Sequence, residues 1–107
     1  MVSRERPYYY KLELGQFPVP CSWYEAGVLL SNYQGRCLAH DTTVGGCKIS
    51  TAFLVFDHNL LGEGPPVLWN TIVTDLKGNQ RIFGKYATME EALLGHETAK
   101  AVISLVG

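Results

Sequence analysis

Asp57, His58 and Asn59 are the first residues in this sequence whose types and position could support chemistry. They stand where an apolar run ends, just before a segment that holds two glycines and two prolines. Side chains at such a junction leave the core while a rigid element still holds them, which favours a binding or catalytic site. Residues of these types also cap turns by accepting hydrogen bonds from loop amides, so both interpretations stay open.

His96 is the second candidate, because it lies in the middle of an apolar stripe near the C-terminus. The stripe consists of Met89, Ala92, Leu93, Ala99 and Ile103. At 3.6 residues per turn, His96 therefore faces the sheet and not the solvent. A buried imidazole needs partners for both nitrogens, so it is either a satisfied core residue or part of a ligand-facing or catalytic site. If Asp57 or His58 lies beneath it, the pair could hold a proton relay or, as a less favoured alternative, a metal.

Four residues of the following strands are further candidates for ligand contacts: Trp69, Thr71, Arg81 and Tyr86. Trp69 and Thr71 alternate onto one face of their strand. The forked guanidinium of Arg81 could bind a carboxylate or phosphate, and Trp69 could stack on a ring. Ordinary cross-strand packing is the alternative explanation for these positions.

The sequence contains no signature of a cofactor or of a common nucleophile. Gly62 and Gly64 lack the lysine and hydroxyl of a phosphate-binding loop, and no Gly-x-Ser-x-Gly elbow or HExxH spacing is present. The three cysteines form no C-x-x-C pair, which favours reduced thiols over a disulfide framework or zinc site. We therefore predict no bound cofactor and no metal.

The elements that position these residues begin with a strand and a short helix. Aromatic and alternating residues predict a strand at Tyr8–Leu14, which the proline-containing segment 15–20 closes. Ser22 and Glu25 have the spacing of a capping box, which predicts a helix from Trp23 to about Asn32.

A hairpin forms the centre of the predicted sheet. Gly45-Gly46 separates two strands, 36–44 and 47–57, and tolerates the positive φ values of a tight turn. Both faces of the second strand are apolar, so we expect it to be central and covered on both sides.

The remaining predicted elements are a loop at 58–66, a strand at 67–76, a turn at 77–79, a strand at 80–87 and a long helix at 89–105. Thr88 and Glu91 form a capping box before that helix. The order β-α-β-β-β-β-α predicts one α+β domain over residues 1–107. Its antiparallel sheet has four to five strands, and the C-terminal helix packs on one face.

Composition excludes several classes of partner. The chain is 47% hydrophobic and 18% charged with a net charge of −1, which argues against affinity for bulk nucleic acid or acidic membranes. No run approaches the ~20 apolar residues that span a bilayer, and no leader-like start is present, so the chain is predicted to be neither secreted nor inserted. The short first helix can cover only part of the second apolar face of the central strand. The apolar surface that remains predicts a homo-oligomer.

An ordered series of motifs resembles a small family of tailed bacteriophages and prophages. The matching segments are 49–59 (ISTAFLVFDHN), 64–71 (GPPVLWNT), 86–88 (YAT), Glu91-Ala92 and 95–97 (GHE). Family members tend to read STVFLGLDH, GPPLLFET, RYST and EAL.GH in that order. This sequence departs at Phe56, where a small residue is usual, and at Trp69-Asn70, where Phe-Glu is usual. The missing glutamate argues against a shared acid-base role for Asn70.

The resemblance implies a phage origin and gives a reason to group Asp57, His58 and His96 with Pro65, Pro66 and Tyr86. One hypothesis is a non-enzymatic accessory protein in the cytoplasm of the infected bacterium. It would bind or sequester a small ligand, such as a nucleotide immune signal, or a host factor. The alternative is a small hydrolase or nuclease that uses Asp57, His58 and His96, with one imidazole as general base. A structural or regulatory part of the virion is a third possibility.

Overall fold

The computed structural model describes residues 7–14, 17–59 and 63–106 of the chain, and its strands and helices follow the order β-β-α-α-β-β-β-β-α. The elements are β1 (Tyr10–Glu13), β2 (Phe17–Pro20), α1 (Trp23–Leu30), α2 (Tyr33–Arg36), β3 (Cys37–Thr42), β4 (Lys48–Phe53), β5 (Trp69–Thr74), β6 (Gln80–Tyr86) and α3 (Met89–Val106). The strands form a two-stranded sheet, β1-β2, and a four-stranded sheet, β3-β4-β5-β6, both antiparallel. The predicted α+β class, with the C-terminal helix packed on an antiparallel sheet, is confirmed.

The structure contains two elements that were not predicted. Phe17–Pro20 was expected only to close the first strand, but it pairs with β1 in the register Tyr10↔Pro20 to Glu13↔Phe17. Its two prolines are compatible with a strand because β2 lies at an edge, where a missing N–H is not required. After α1, which is shorter than predicted, a single turn forms α2, and the side chain of Asn32 caps it by accepting from Gly35 N at 3.0 Å.

Strand β4 is central, as predicted, but it is shorter than the predicted segment. It lies between β3 and β5 and ends at Phe53 instead of Asp57. Val55 has φ +73°, a conformation that a β-branched residue rarely adopts and that interrupts a regular strand. Pairing continues past the interruption, because Leu54 N donates to the Leu68 carbonyl at 2.7 Å and Tyr10 N donates to the Val55 carbonyl at 2.6 Å. This segment therefore joins the two sheets.

Helix α3 covers one face of the four-stranded sheet. Ile49 and Val73 are cross-strand neighbours on that face, and they pack against Ala99 and Ile103 of α3. On the opposite face, Tyr33 of α2 makes a hydrogen bond to Ser50 and Ala52 is buried, while Lys48 stays exposed. Coverage of this second face is therefore partial.

Two further properties of the described residues bear on the predictions. None of the helices in the ranges above is long and apolar enough to cross a lipid bilayer. Cys21, Cys37 and Cys47 are half-buried and free of disulfides. The homo-oligomer stays a prediction.

Candidate functional site

A chain of five hydrogen-bonded side chains runs between α3 and the four-stranded sheet. Its members, one from each packed element, are Asp41 of β3, Thr51 of β4, Thr71 of β5, Tyr86 of β6 and His96 of α3. His96 Nε2 lies 2.7 Å from Asp41 Oδ2, and His96 Nδ1 lies 2.7 Å from Thr51 Oγ1. Thr51 Oγ1 lies 2.6 Å from Thr71 Oγ1, which accepts from the Tyr86 hydroxyl at 3.1 Å. The chain thus crosses the whole sheet.

The donors of this chain align in one direction when the imidazole is neutral. A carboxylate only accepts, so Nε2–H of His96 donates to Asp41. Nδ1 then accepts from the Thr51 hydroxyl, whose oxygen accepts from Thr71, whose oxygen accepts from Tyr86. Each donor is used once, and both nitrogens of the imidazole are engaged. His96 is therefore the satisfied core residue that the sequence left as one of two interpretations.

The centre of this hydrogen-bonded chain of side chains is buried, and its Asp41 end reaches solvent. His96 is 1% exposed and Thr51 is 0% exposed, whereas the Asp41 side chain is 41% exposed and lies 3.7 Å from Lys100 Nζ. The arrangement of Asp41, His96 and Thr51 resembles an acid–base–hydroxyl triad. However, no substrate can reach a fully buried Thr51 hydroxyl without opening the core, so the geometry does not favour nucleophilic catalysis here.

Asp41 is expected to make the protein less stable as the pH falls below about 4. The hydrogen bond from His96, aided by the positive charge of Lys100, holds the pKa of Asp41 below its ordinary value of 3.8. The stabilising effect of the carboxylate is complete above that ordinary value and disappears as the pH falls through the lowered one. We expect Asp41→Asn to lack this part of the acid destabilisation when melting temperatures are compared between about pH 5 and pH 2.5. Equal acid slopes in both proteins would contradict this role.

Tyr86 occupies a space that Gly95 leaves open on α3. A Cβ at Gly95 would overlap the Tyr86 ring, whereas a Cβ at Gly27 of α1 would meet nothing within 4 Å. We expect Gly27→Ala to raise the free energy of unfolding by about 0.5–1 kcal/mol through helix propensity. Gly95→Ala should instead lower it by about 1 kcal/mol, because displacing the ring breaks its bond to Thr71.

Urea unfolding of both variants, with and without Tyr86→Ala, tests this packing. Once the ring is removed, Gly95→Ala should become stabilising, as Gly27→Ala is in either background. If Gly95→Ala is equally stabilising in the presence of Tyr86, the ring does not lie against this part of α3.

The predicted group at 57–59 forms its own cap and does not join the chain of His96. Asp57, fully buried, accepts through Oδ1 from Asn59 N at 2.8 Å and from Val67 N at 2.9 Å. The side-chain amide of Asn59 donates, through Nδ2, to the carbonyl oxygens of Glu63 and Pro65. These contacts hold the two ends of the loop together, as the turn-capping interpretation expects. The described contacts of His96 come from β3 and β4 instead, so the proposed relay with Asp57 or His58 is not formed.

The other candidate residues are distributed over the fold. His58 is half-buried, with its ring 4.4 Å from that of Phe56, and burial lowers its pKa, as does the charge of Lys85. Trp69 is fully buried in the core beside Phe53. Arg81 is exposed near the N-terminal end of β6. Of the sequence-predicted residues, the structure brings together Thr71, Tyr86 and His96. Among the residues described here, no three His, Cys, Asp or Glu side chains cluster as a metal site requires.

A cleft of about 500 Å³ lies between α1, α2, β1 and the end of β4. It is lined by Lys11, Leu12, Tyr24, Glu25, Val28, Leu29, Gly35, Arg36 and Phe53. Lys11 Nζ and Glu25 Oε2 are 3.0 Å apart, and this pair raises the pKa of Lys11 and lowers that of Glu25. Tyr24 and Val28 remain exposed on α1, and Phe53 forms part of the core beneath them. This volume falls in the range of ordinary small-molecule sites, about 300–1,000 Å³.

Comparisons of this chain with protein-family models, curated proteins and solved structures found no match.

The sequence contained a signal for Thr51 but not for Asp41. Alternation along β4 places Thr51 on the face of Ile49, which receives α3. Counting outward from a two-residue turn at Gly45-Gly46 would place Asp41 opposite Ser50, on the other face, whereas the loop also includes Val44 and Asp41 pairs with Ile49. The cleft gives no comparable signal, because its lining comes from four elements and includes α2, which the sequence did not predict.

Proposed function

We propose that this protein is a non-catalytic binder of a small ligand and that the cleft between α1, α2, β1 and β4 is its binding site. The observation that supports this proposal is the cleft itself: its volume is about 500 Å³, and its walls are apolar and aromatic with a few charged groups. Such a combination is typical of sites that bury small molecules. The hydrogen-bonded chain of side chains that contains His96, by contrast, is buried at its centre, and its donors are already used.

The enzymatic alternative receives no support from the described contacts. A hydrolase using Asp57, His58 and His96 requires the three side chains to converge on one substrate. Both nitrogens of His96 are occupied by Asp41 and Thr51, and Asp57 Oδ1 binds backbone amides. These contacts favour structural roles for His96 and Asp57.

The biological setting of the proposal comes from the resemblance to the phage and prophage family. It suggests an accessory protein made in the cytoplasm of an infected bacterium, where sequestering a nucleotide signal or binding a host factor would be useful. A thermal-shift screen with cyclic nucleotides and ADP-ribose derivatives addresses that more specific idea. An increase in melting temperature with one compound class would support a nucleotide ligand, provided that a substitution that fills the cleft abolishes the increase. A screen without any shift would count against a nucleotide ligand.

The uncharged fluorophore N-phenylnaphthylamine provides a direct test of the cleft. We expect its emission to rise on binding, and Val28→Trp, which places a large side chain in the cleft, should weaken binding by about tenfold or more. Val102→Trp is the matched control, because Val102 is also a partly exposed helical valine but lies outside the cleft.

Circular dichroism should show that both variants retain the wild-type fold before binding is compared. A wild-type protein that does not bind the fluorophore, or a loss of binding that is equal in the two variants, would overturn the assignment of this cleft.

A further inference from the structure

The cleft carries one positive charge that no described carboxylate neutralises. Lys11 and Glu25 form an ion pair at 3.0 Å and cancel each other. Arg36, the remaining charged residue of the lining, makes no salt bridge with any residue of the described ranges. The lining therefore has a net charge of about +1, located at Arg36.

The guanidinium of Arg36 retains donors that the protein does not use. Nη1 donates to the Phe53 carbonyl at 2.9 Å. Nε is buried and has no acceptor in the part of the chain that the structure describes. A buried donor and a partly desolvated cation each cost free energy unless a partner offsets them, and an anion supplies both the acceptor and the charge.

Arg36 is also held in position. The Phe53 carbonyl fixes one side of the guanidinium, and its central carbon lies 5.5 Å from the centre of the Tyr33 ring. A side chain fixed by neighbours loses less conformational entropy when it binds a ligand, so the group is preorganised for binding. Its planar fork matches the geometry of carboxylate and phosphate oxygens.

We propose that the ligand of this cleft is a small molecule with a flat apolar body and one anionic group, which Arg36 binds. This inference rests on the proposed function, because it specifies the ligand of the same site. Tyr24, Val28 and Phe53 contact the body, and the guanidinium donors of Arg36 that the Phe53 carbonyl does not use bind a carboxylate, sulfonate or phosphate oxygen. The volume of about 500 Å³ suits such a molecule better than a folded partner, which needs a broad surface.

Two fluorophores with the same aromatic body test the anionic group separately from the cleft. Anilinonaphthalene sulfonate carries a negative charge, and N-phenylnaphthylamine does not. We expect the wild-type protein to bind the sulfonate about tenfold more tightly, as a charge-assisted hydrogen bond predicts. Arg36→Gln should remove this preference, so that the two fluorophores bind with affinities within about twofold of each other.

Arg81→Gln is the matched control, because it removes the same charge from an exposed position outside the cleft, and it should keep the preference. Arg36→Lys should retain part of it, since the charge remains but the fork is lost. If Arg36→Gln unfolds the protein, Arg36→Lys and added salt still report on the charge.

The possible failures are distinguishable. Binding of the uncharged fluorophore without a preference for the sulfonate overturns the anionic ligand and leaves the cleft intact. A preference that survives in Arg36→Gln, or disappears in Arg81→Gln, also overturns the role of Arg36. Failure of the wild-type protein to bind the uncharged fluorophore overturns the proposed function itself.

Discussion

Replacing His96 with alanine should lower the free energy of unfolding by about 3–5 kcal/mol, the range seen when a large buried side chain is truncated. The ring is 1% exposed between α3 and the sheet, so its removal leaves a cavity. It also takes the acceptor from the Thr51 hydroxyl and the donor from Asp41. Urea unfolding near pH 7 measures the change, and an unchanged m-value would show that the same two states are compared.

A double-mutant cycle separates the hydrogen bond from the cavity. Thr51→Val keeps the side-chain shape and should cost about 1–3 kcal/mol in the wild type, because His96 Nδ1 loses its partner inside the core. In the His96→Ala background the same change should cost less, since the imidazole that Thr51 would leave without a donor is already absent. Additive costs, or a loss below about 1 kcal/mol for His96→Ala, would contradict the enclosed chain.

The stability effect also bears on function. If His96 were a catalytic base on the surface, truncating it would abolish turnover while the protein stayed nearly as stable as before. A large loss of stability instead marks the imidazole as a structural part of the core. The proposed ligand site would then be disturbed only through unfolding, which makes the cleft variants the better probes of binding.

Local signals made most of the fold predictable. Gly45-Gly46 allowed the central hairpin to be placed, and Gly46 indeed has φ +96°. The capping box at Ser22 and Glu25 placed the start of α1 at Trp23, as observed. Each of these signals acts within a few residues, so it can be recognised without knowing which distant residues are in contact. Strand β2 was missed because its two prolines are typical of a loop, and only pairing with β1 makes it a strand.

The candidate site was less predictable, because its contacts depend on register across the sheet. Helical periodicity correctly placed His96 on the inward face of α3. It could not tell which strand residue lies opposite, and the observed partner Asp41 is separated from His96 by 55 positions. The grouping with the 57–59 loop assumed that His96 lies over the end of β4. The first turn of α3, at Met89 and Ala92, packs there instead, and His96 lies farther along the helix, against Thr51 and Asp41. The charge on Arg36 could be read from the sequence. That no carboxylate within residues 7–14, 17–59 and 63–106 pairs with it could not.

Asp57→Ala is the second change with a large expected effect, a loss of about 2–4 kcal/mol in the free energy of unfolding. Asp57 is fully buried, and its Oδ1 accepts from two backbone amides, those of Asn59 and Val67, which alanine leaves without this acceptor. Asp57→Asn keeps an oxygen at the same position and should cost less. Urea unfolding of both variants gives the comparison.

The turn at Asp75 offers a matched control for this cap. Asp75 Oδ1 also accepts from two amides, those of Lys77 and Asn79, both at 2.9 Å, but this turn is exposed. Water can replace the lost acceptor there, so Asp75→Ala should cost clearly less than Asp57→Ala. Equal losses at Asp57 and Asp75 would show that burial does not strengthen the first cap. A negligible loss at Asp57 would remove its structural role and reopen the interpretation of 57–59 as a binding or catalytic group.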